Sequence, residues 1–328
     1  MKLRTKILFW LITGVGSIFA EDSAVDRIQK GSRLLEQGNL AASVAIFQSV
    51  LSDAASQRAG ELTLAVAHYH LGWAYTLLDR DQEAQAEYGK AEAFLNPHPE
   101  FHYPHLMRVL ESEASLETKR KQYQKARALV ERAESIVANL APENRLELAS
   151  LSVDLGAIDQ LEGKLDRASI HYRQGLAVIE AVAGRSSAAW RRVANNLALL
   201  LLQSGQKDEA AYYIDQALRQ DDTLIGLDRV VKAKLLLTRF DVNIASGRKQ
   251  AAQQDATQAL EILMEDLGAS NRLTAVALLR CQQVSRALGH KAEARAYGRR
   301  AKESLDGSPS VQFERSTINV AELRAGRY

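Results

Sequence analysis

One residue position recurs along the chain at intervals of 41 or 42 residues. Glycine is the commonest residue at this marker position, whose seven copies are Gly38, Asp79, Lys121, Gly163, Gly205, Gly247 and Gly289. Five residues after each marker stands a small side chain: Ser43, Ala84, Ala126, Ala168, Ala210, Ala252 and Ala294. Twelve residues after the markers stand Val50, Ala91, Ala133, Gly175, Ala217, Ala259 and Ala301. Such a period indicates a solenoid, in which neighbouring repeats bury one another's apolar faces.

Each repeat is typical of two antiparallel helices joined by a tight turn at the marker. In the second repeat, Leu71 and Tyr75 fall on the first helix, Ala84 and Tyr88 on the second, and residues 79–82 form the turn. Small residues at fixed positions allow two helix backbones to approach closely. Glycine at the marker predicts a helix end in the left-handed conformation, which carries no Cβ penalty there.

Two further positions show how each hairpin is filled. Nine residues after the marker, the first five copies carry a bulky residue: Phe47, Tyr88, Val130, Tyr172 and Ile214. Seven residues before the marker, the same copies carry a small one: Gly31, Gly72, Ala114, Gly156 and Ala198. The last two copies have Ala256 and Gly298 at the first position, after Phe240 and Gln282 at the second. We therefore expect the last two hairpins to be degenerate.

These residues resemble a known family. Leu-Gly-x-x-Tyr at 71–75, followed by a turn and then by alanine, an aromatic residue and alanine, is similar to the tetratricopeptide repeat. The 42-residue spacing and the run Asn195-Asn196-Leu197-Ala198 resemble its longer kinesin-light-chain type, and we expect a member of the bacterial exported kind. The resemblance covers residues 24–305 and implies an all-α, right-handed superhelical solenoid of seven antiparallel helix-turn-helix hairpins. It says little about function, because unrelated proteins share this scaffold.

The repeat register predicts where each hairpin lies within a solenoid of residues 21–307. The predicted ranges are 24–52, 61–95, 105–137, 144–180, 188–220, 228–264 and 271–305. Three prolines within residues 96–105 predict a non-helical connection there. For the tail at 308–328, a cap on the last hairpin and disorder are both open interpretations.

Residues 1–20 have the pattern of a secretory signal peptide, with cleavage after Ala20. Their apolar run is shorter than the roughly 20 residues of a membrane span, although a retained anchor is an open alternative. We therefore expect an exported protein, periplasmic or secreted, without a membrane span in the mature chain. Loss of Lys2, Arg4 and Lys6 changes the net charge from +2 to −1, which argues against nucleic-acid binding.

No recognised catalytic or nucleotide-binding motif is present, so we predict a protein that is not an enzyme and needs no cofactor. The lone cysteine, Cys281, lies at an apolar position of its repeat and is expected to be buried. His98, His102 and His105 share the proline-rich connection and are weak candidates for a metal site. They define the alternative function, a metal- or small-ligand-binding accessory protein.

The resemblance implies that the first helices of successive hairpins line a concave groove. Thirteen residues before the markers stand Val25, Val66, Arg108, Ser150, Arg192, Lys234 and Val276. Nine residues before them stand Gln29, His70, Ser112, Asp154, Asn196, Thr238 and Arg280. The second row is polar throughout, which we take as a sign of a solvent-facing row. Asparagine, threonine and arginine can satisfy the backbone of an extended peptide, while aligned cations can hold its carboxylates.

The predicted groove residues combine these rows with an aromatic anchor in the second repeat. They are Tyr69, His70, Trp73, Arg108, Asp154, Arg192, Asn196, Lys234 and Arg280. Each could equally be an ordinary solvent-exposed helix residue. The predicted function is a non-catalytic scaffold or adaptor that binds a protein or peptide, with acidic character favoured by the cations. Self-association through the terminal repeats stays an open alternative.

Overall fold

The computed structural model describes residues 23–53, 60–219 and 227–306, and every regular element in these ranges is an α-helix. The predicted signal peptide and the tail after residue 307 lie outside the described residues. The helices, in chain order, are α1 (Ala24–Glu36), α2 (Leu40–Ser52), α3 (Glu61–Leu77), α4 (Asp81–Leu95), α5 (Pro99–Lys119), α6 (Tyr123–Leu140), α7 (Arg145–Leu161), α8 (Leu165–Ala183), α9 (Ala188–Gln203), α10 (Lys207–Leu218), α11 (Leu227–Ala245), α12 (Lys249–Leu267), α13 (Arg272–Ala287) and α14 (Lys291–Asp306). Successive helices pack as hairpins, α1 with α2 through α13 with α14, and each hairpin packs on the next. The fold is the predicted all-α solenoid.

All seven marker residues adopt the left-handed backbone conformation. The φ angle lies between 75° and 87° at the five marker glycines, and it is 56° at Asp79 and 62° at Lys121. The repeat geometry therefore imposes this conformation even where the residue is not glycine. A residue with a Cβ pays a steric penalty of roughly 1–2 kcal/mol in this region, somewhat less for aspartate.

The contact between the two helices of a hairpin is as tight as the small residues predict. A Cβ added to Gly31 would lie 2.6 Å from the Phe47 ring, and one added to Gly72 would lie 2.7 Å from the Tyr88 ring. Both rings are almost completely buried. Glycine is required at these positions because the aromatic ring of the second helix occupies the space of its side chain.

The expectation that the last two hairpins are degenerate is wrong. Phe240 and Ala256 are both fully buried, and a Cβ at Gly298 would collide with the Gln282 side chain. These hairpins pack as closely as the others, but the large residue comes from the first helix and the small residue from the second. The exchange keeps the space between the two helices filled, because close packing constrains the combined volume of the two facing side chains.

The expectation of a non-helical connection over residues 96–105 is wrong from residue 99 onward, since only residues 96–98 are non-helical. Helix α5 begins at Pro99 and includes Pro104, so the third hairpin begins earlier than predicted. Pro99 lies in the first turn, where the backbone N–H has no helical acceptor. Pro104 removes only the bond to the carbonyl of Glu100, and both residues are exposed, so water can reach that carbonyl.

Three clusters of buried apolar side chains run through the solenoid and share helices at their borders. The first extends from α1 to α7, the second from α7 to α11, and the third from α11 to α14. Helix α7 contributes Leu151 to the first and Val153 to the second, while α11 contributes Leu235 to the second and Phe240 to the third. Stability therefore comes from neighbour-on-neighbour burial along the array.

The first helices of successive hairpins form one layer, here called the inner layer. Close backbone contacts join α1 to α3, α3 to α5, α9 to α11 and α11 to α13, whereas within the described residues no two second helices are joined to this extent. In a curved stack, the layer whose helices approach more closely lies on the concave side. Among the described helices, none has the length and apolar character needed to cross a bilayer.

Candidate binding surface on the inner helix layer

The row thirteen residues before the markers lies at the accessible face of the inner layer. Val25 and Arg108 are exposed, and Arg192 and Lys234 are partly exposed. The chemistry of the row changes along the array, from Val25 and Val66 in the first two hairpins to cations at three of the five later positions. A ligand lying along this row would meet an apolar end followed by a positively charged centre.

The row nine residues before the markers is not solvent-facing in its middle, which corrects the expectation drawn from its polarity. Ser112 and Asp154 are each 8% exposed, Thr238 is 5% exposed and Asn196 is 3% exposed. These polar side chains are enclosed by the layer itself. Buried polar groups are normally hydrogen-bonded, so each side chain of this row is expected to have a hydrogen-bond partner.

Asn196 makes no hydrogen bond with either atom of its side-chain amide within the described residues. The side-chain oxygen of Asn195, next to it on α9, also has no hydrogen-bond partner there. Leaving a buried polar group unsatisfied costs about 1–3 kcal/mol, and an amide has both a donor and an acceptor to satisfy. A side-chain amide of this kind can pair with a group that offers both a donor and an acceptor, such as a water molecule or a peptide backbone unit.

The predicted aromatic residues of the second hairpin do come together. The imidazole of His70 stacks on the ring of Phe47 at a centroid distance of 5.5 Å, and it lies 5.1 Å from the Tyr69 ring and 6.2 Å from the Trp73 ring. The Nε2 atom of His70 also lies 3.4 Å from the hydroxyl of Ser32 on α1. The cluster joins α1, α2 and α3 into a rigid aromatic wall at the N-terminal end of the inner layer.

Arg280 is held by the neighbouring first helix. Its guanidinium lies 3.1 Å from the carboxylate of Asp241 and 5.6 Å from the centre of the Phe240 ring. Burial raises the pKa of Asp241, and the charge of Arg280 opposes this shift. Arg280 thus serves first to neutralise Asp241 at the C-terminal end of the layer.

The three histidines proposed as metal candidates do not form a loop site. His98 precedes α5 and lies 3.4 Å from Glu100, while His102 and His105 are on the helix. Burial and the nearby Arg108 and His102 lower the pKa of His105. Across the described ranges, no three histidine, cysteine, aspartate or glutamate side chains are grouped so that they could hold a metal ion. The metal alternative is thus left without a supporting arrangement.

Cys281 is buried, as its repeat position predicts, and burial raises the pKa of its thiol to about 12. A thiol in this environment is protonated at neutral pH and is a poor nucleophile. Its environment is that of a packing residue of the third core cluster.

Two buried charge clusters were not anticipated by the repeat pattern. Asp255 on α12 accepts hydrogen bonds from Arg239, at 2.6 Å, and from Asn243, at 2.8 Å, both on α11. Asp159 on α7 is fully buried and lies 2.5 Å from the Arg127 guanidinium on α6. Each cluster joins two packed helices. In the sequence these residues look like ordinary members of polar helix faces.

A cavity of about 530 Å3 was also not predicted, although two residues of its lining differ in character from later members of their row. It is bordered by α1 and α3, and His105 of α5 contributes to its wall. The two valines of the accessible row, Val25 and Val66, are part of its lining. Their apolar character, at positions where three of the five later copies carry cations, gives this end of the row a different chemistry.

No family model matches this chain, and no curated protein is significantly similar to it. Solved structures are similar in fold. The apo form of RapI is 13% identical with a TM-score of 0.65, over 87% of this chain and 98% of that chain. The Rap conjugation gene regulator of plasmid pLS20, in complex with a Phr peptide, is 15% identical with a TM-score of 0.61, over 91% and 80% of the two chains. A tetratricopeptide repeat protein from Parabacteroides merdae is 18% identical with a TM-score of 0.55, over 87% and 94%. These likenesses confirm the tetratricopeptide-repeat fold.

Proposed function

We propose that this chain is a non-catalytic scaffold that binds a peptide or protein partner along its inner layer, and that it works outside the cytoplasm. The observation that carries the proposal is Asn196, an amide buried in the middle of the layer whose two polar atoms have no hydrogen-bond partner among the described residues. A peptide backbone offers the complementary carbonyl and N–H. The Rap regulator of similar fold has been solved in complex with a Phr peptide, which supports a peptide as the partner.

The charge of the accessible row supports an acidic partner. Arg192 lies one turn before Asn196 on α9, and Lys234 occupies the equivalent place on α11, a helix that packs against α9. Both side chains are partly exposed. Carboxylates of the partner would therefore meet two cations beside the asparagine, and charge-assisted hydrogen bonds are about twice as strong as neutral ones.

The test is a pull-down from the envelope fraction of the source organism with paired baits. One bait is the purified chain and the other carries Arg192→Glu and Lys234→Glu. A control bait carries Arg295→Glu and Arg299→Glu, which make the same charge change on exposed residues of α14. A partner bound by the chain and the control but lost by the first variant is the expected result.

The captured partner is then measured directly against Asn196→Ala. We expect its affinity to fall by more than about tenfold, because a buried amide would no longer satisfy the peptide backbone. Unchanged helicity by circular dichroism establishes that each variant is folded. Equal capture by all baits would place the binding surface elsewhere and refute the proposal.

A further inference from the structure

The cavity at the N-terminal end of the inner layer is open and mainly apolar. Val25, Ile28, Leu62 and Val66 supply its apolar lining, and Val25 and Leu62 remain 51% and 37% exposed. Its volume of about 530 Å3 lies within the range of small-ligand sites. Covering exposed apolar surface is favourable, so this lining suits an apolar side chain.

One wall of the cavity is fixed before any ligand arrives. His70 lines it, and the ring of His70 stacks on Phe47 with an interplanar angle of 12°. Phe47 is fully buried and fills the space above Gly31. A preformed wall lowers the ordering cost of binding, which distinguishes this cavity from a gap between mobile side chains.

The charge on the cavity lining itself is positive. Arg33 is the single charged side chain among the lining residues apart from the histidines, and none of these residues is acidic. Arg108 lies one turn after the lining residue His105 on α5, is exposed, and makes no ion pair with an acidic side chain in the described part of the chain. A ligand with an apolar group and a nearby carboxylate matches this combination.

We infer that the cavity anchors an apolar side chain of the bound peptide, and that an acidic residue about three positions away along that peptide pairs with Arg108. The inference rests on the proposed function and names the chemistry of its partner. Helices α3 and α5 are in contact, and contacting helix axes lie about 8–10 Å apart. An extended peptide advances about 3.3 Å per residue, so one helix step corresponds to about three residues.

The probe is a phage-displayed library of random dodecapeptides selected on the purified chain. We expect enrichment of peptides with an apolar residue and an aspartate or glutamate three positions apart. The best peptide, labelled with fluorescein, is then titrated by anisotropy against Val66→Lys and Arg108→Glu. We expect each variant to weaken binding by more than about tenfold, and Arg108→Glu to select lysine or arginine in place of the acidic residue.

Matched controls separate the site from general effects of charge. Val182→Lys changes a half-exposed valine on α8, and Arg295→Glu changes an exposed arginine on α14. Both should bind the labelled peptide like the unaltered chain. If Val66→Lys fails to fold by circular dichroism, Val25→Lys tests the same cavity at a more exposed position.

The outcomes also separate this inference from the proposed function. Peptides that are lost with Asn196→Ala but bind Val66→Lys and Arg108→Glu normally would keep the scaffold and overturn the anchor. Peptides insensitive to all three changes would contradict both. An acidic residue adjacent to the apolar one, sensitive to Arg33→Glu, would overturn the three-residue spacing. Absence of any enriched peptide would refute the anchor, while the envelope pull-down would still decide the function.

Discussion

Hairpins two and six solve the same packing problem in opposite ways. In the second hairpin, the first helix supplies Gly72 and the second helix supplies Tyr88, whose ring occupies the space above the glycine. In the sixth hairpin, the first helix supplies Phe240 and the second supplies Ala256, and both are fully buried. The comparison shows that this solenoid keeps the combined volume at a contact and lets the identity at each position change.

The largest expected effect comes from removing the large member where it lies on the first helix. Phe240→Ala should destabilise the chain by about 3–5 kcal/mol, because it leaves a cavity opposite an alanine that cannot fill it. Urea unfolding followed by circular dichroism measures the change. Adding Ala256→Phe should restore part of the loss by recreating the arrangement of the second hairpin. A double variant no more stable than Phe240→Ala would contradict the exchange of roles.

The small member should be equally necessary in the second hairpin. Gly72→Ala should destabilise by about 1–3 kcal/mol, because the new Cβ would lie 2.7 Å from the Tyr88 ring and 3.2 Å from the carbonyl oxygen of Ala84. The same unfolding experiment checks it. Gly89→Ala, on the exposed face of α4 with open space around its Cα, is the control and should be neutral or stabilising.

The two hairpins also show why much of the fold was predictable. The marker period placed the left-handed turns at Asp79 and Lys121, although lysine does not favour that conformation and aspartate tolerates it only somewhat better. The exchange at Phe240 was not predicted, because packing depends on the two facing positions together and the small Ala256 by itself indicates a gap. The start of α5 was not predicted, because proline breaks the interior of a helix, whereas the exposed first turns that contain Pro99 and Pro104 tolerate it.

The candidate site was less predictable than the fold for a physical reason. Asn196 was placed on the inner layer by its repeat position, but polarity alone suggested an exposed side chain, and it is 3% exposed. Burial of a polar row depends on how closely neighbouring helices approach, which a single sequence does not specify. The cavity was not predicted, although Val25 and Val66 differ from the cations found later in the same row.

A second contrast, between the sixth and the third hairpin, concerns the partners of buried acidic side chains. Asp255 in the sixth hairpin is held by Arg239 and Asn243. Glu113 in the third hairpin is partly buried, and burial together with the charges of Glu92 and Glu117 raises its pKa to about 7, against the opposing charge of Arg132. The negative charge of Asp255 is therefore balanced by Arg239, whereas Glu113 makes the stability of the chain depend on pH.

The sign of this dependence follows from the raised pKa of Glu113. The folded state binds the proton more tightly than the unfolded state, whose glutamate has an ordinary pKa of 4.5. A shift of this size corresponds to about 3 kcal/mol at full burial. Because the carboxyl is partly exposed and its charge is screened by solvent, the free energy of unfolding should fall by about 1–2 kcal/mol as pH rises from about 4.5 to about 7. Denaturation across this range measures it, and Glu113→Gln should flatten the curve. Glu131→Gln, on the exposed face of α6, should leave the slope unchanged.

The smallest effect concerns the marker turns. Lys121 has a φ of 62° where the sixth hairpin has Gly247 at 75°. Lys121→Gly should stabilise the chain by about 1 kcal/mol, because it removes the Cβ penalty of the left-handed conformation. Gly247→Ala should cost a similar amount for the converse reason. The change in melting temperature of each variant, measured by thermal unfolding, tests both expectations. A loss of stability in Lys121→Gly would mean that side-chain contacts of the lysine outweigh its backbone strain, and that the third turn differs from the others in more than its residue.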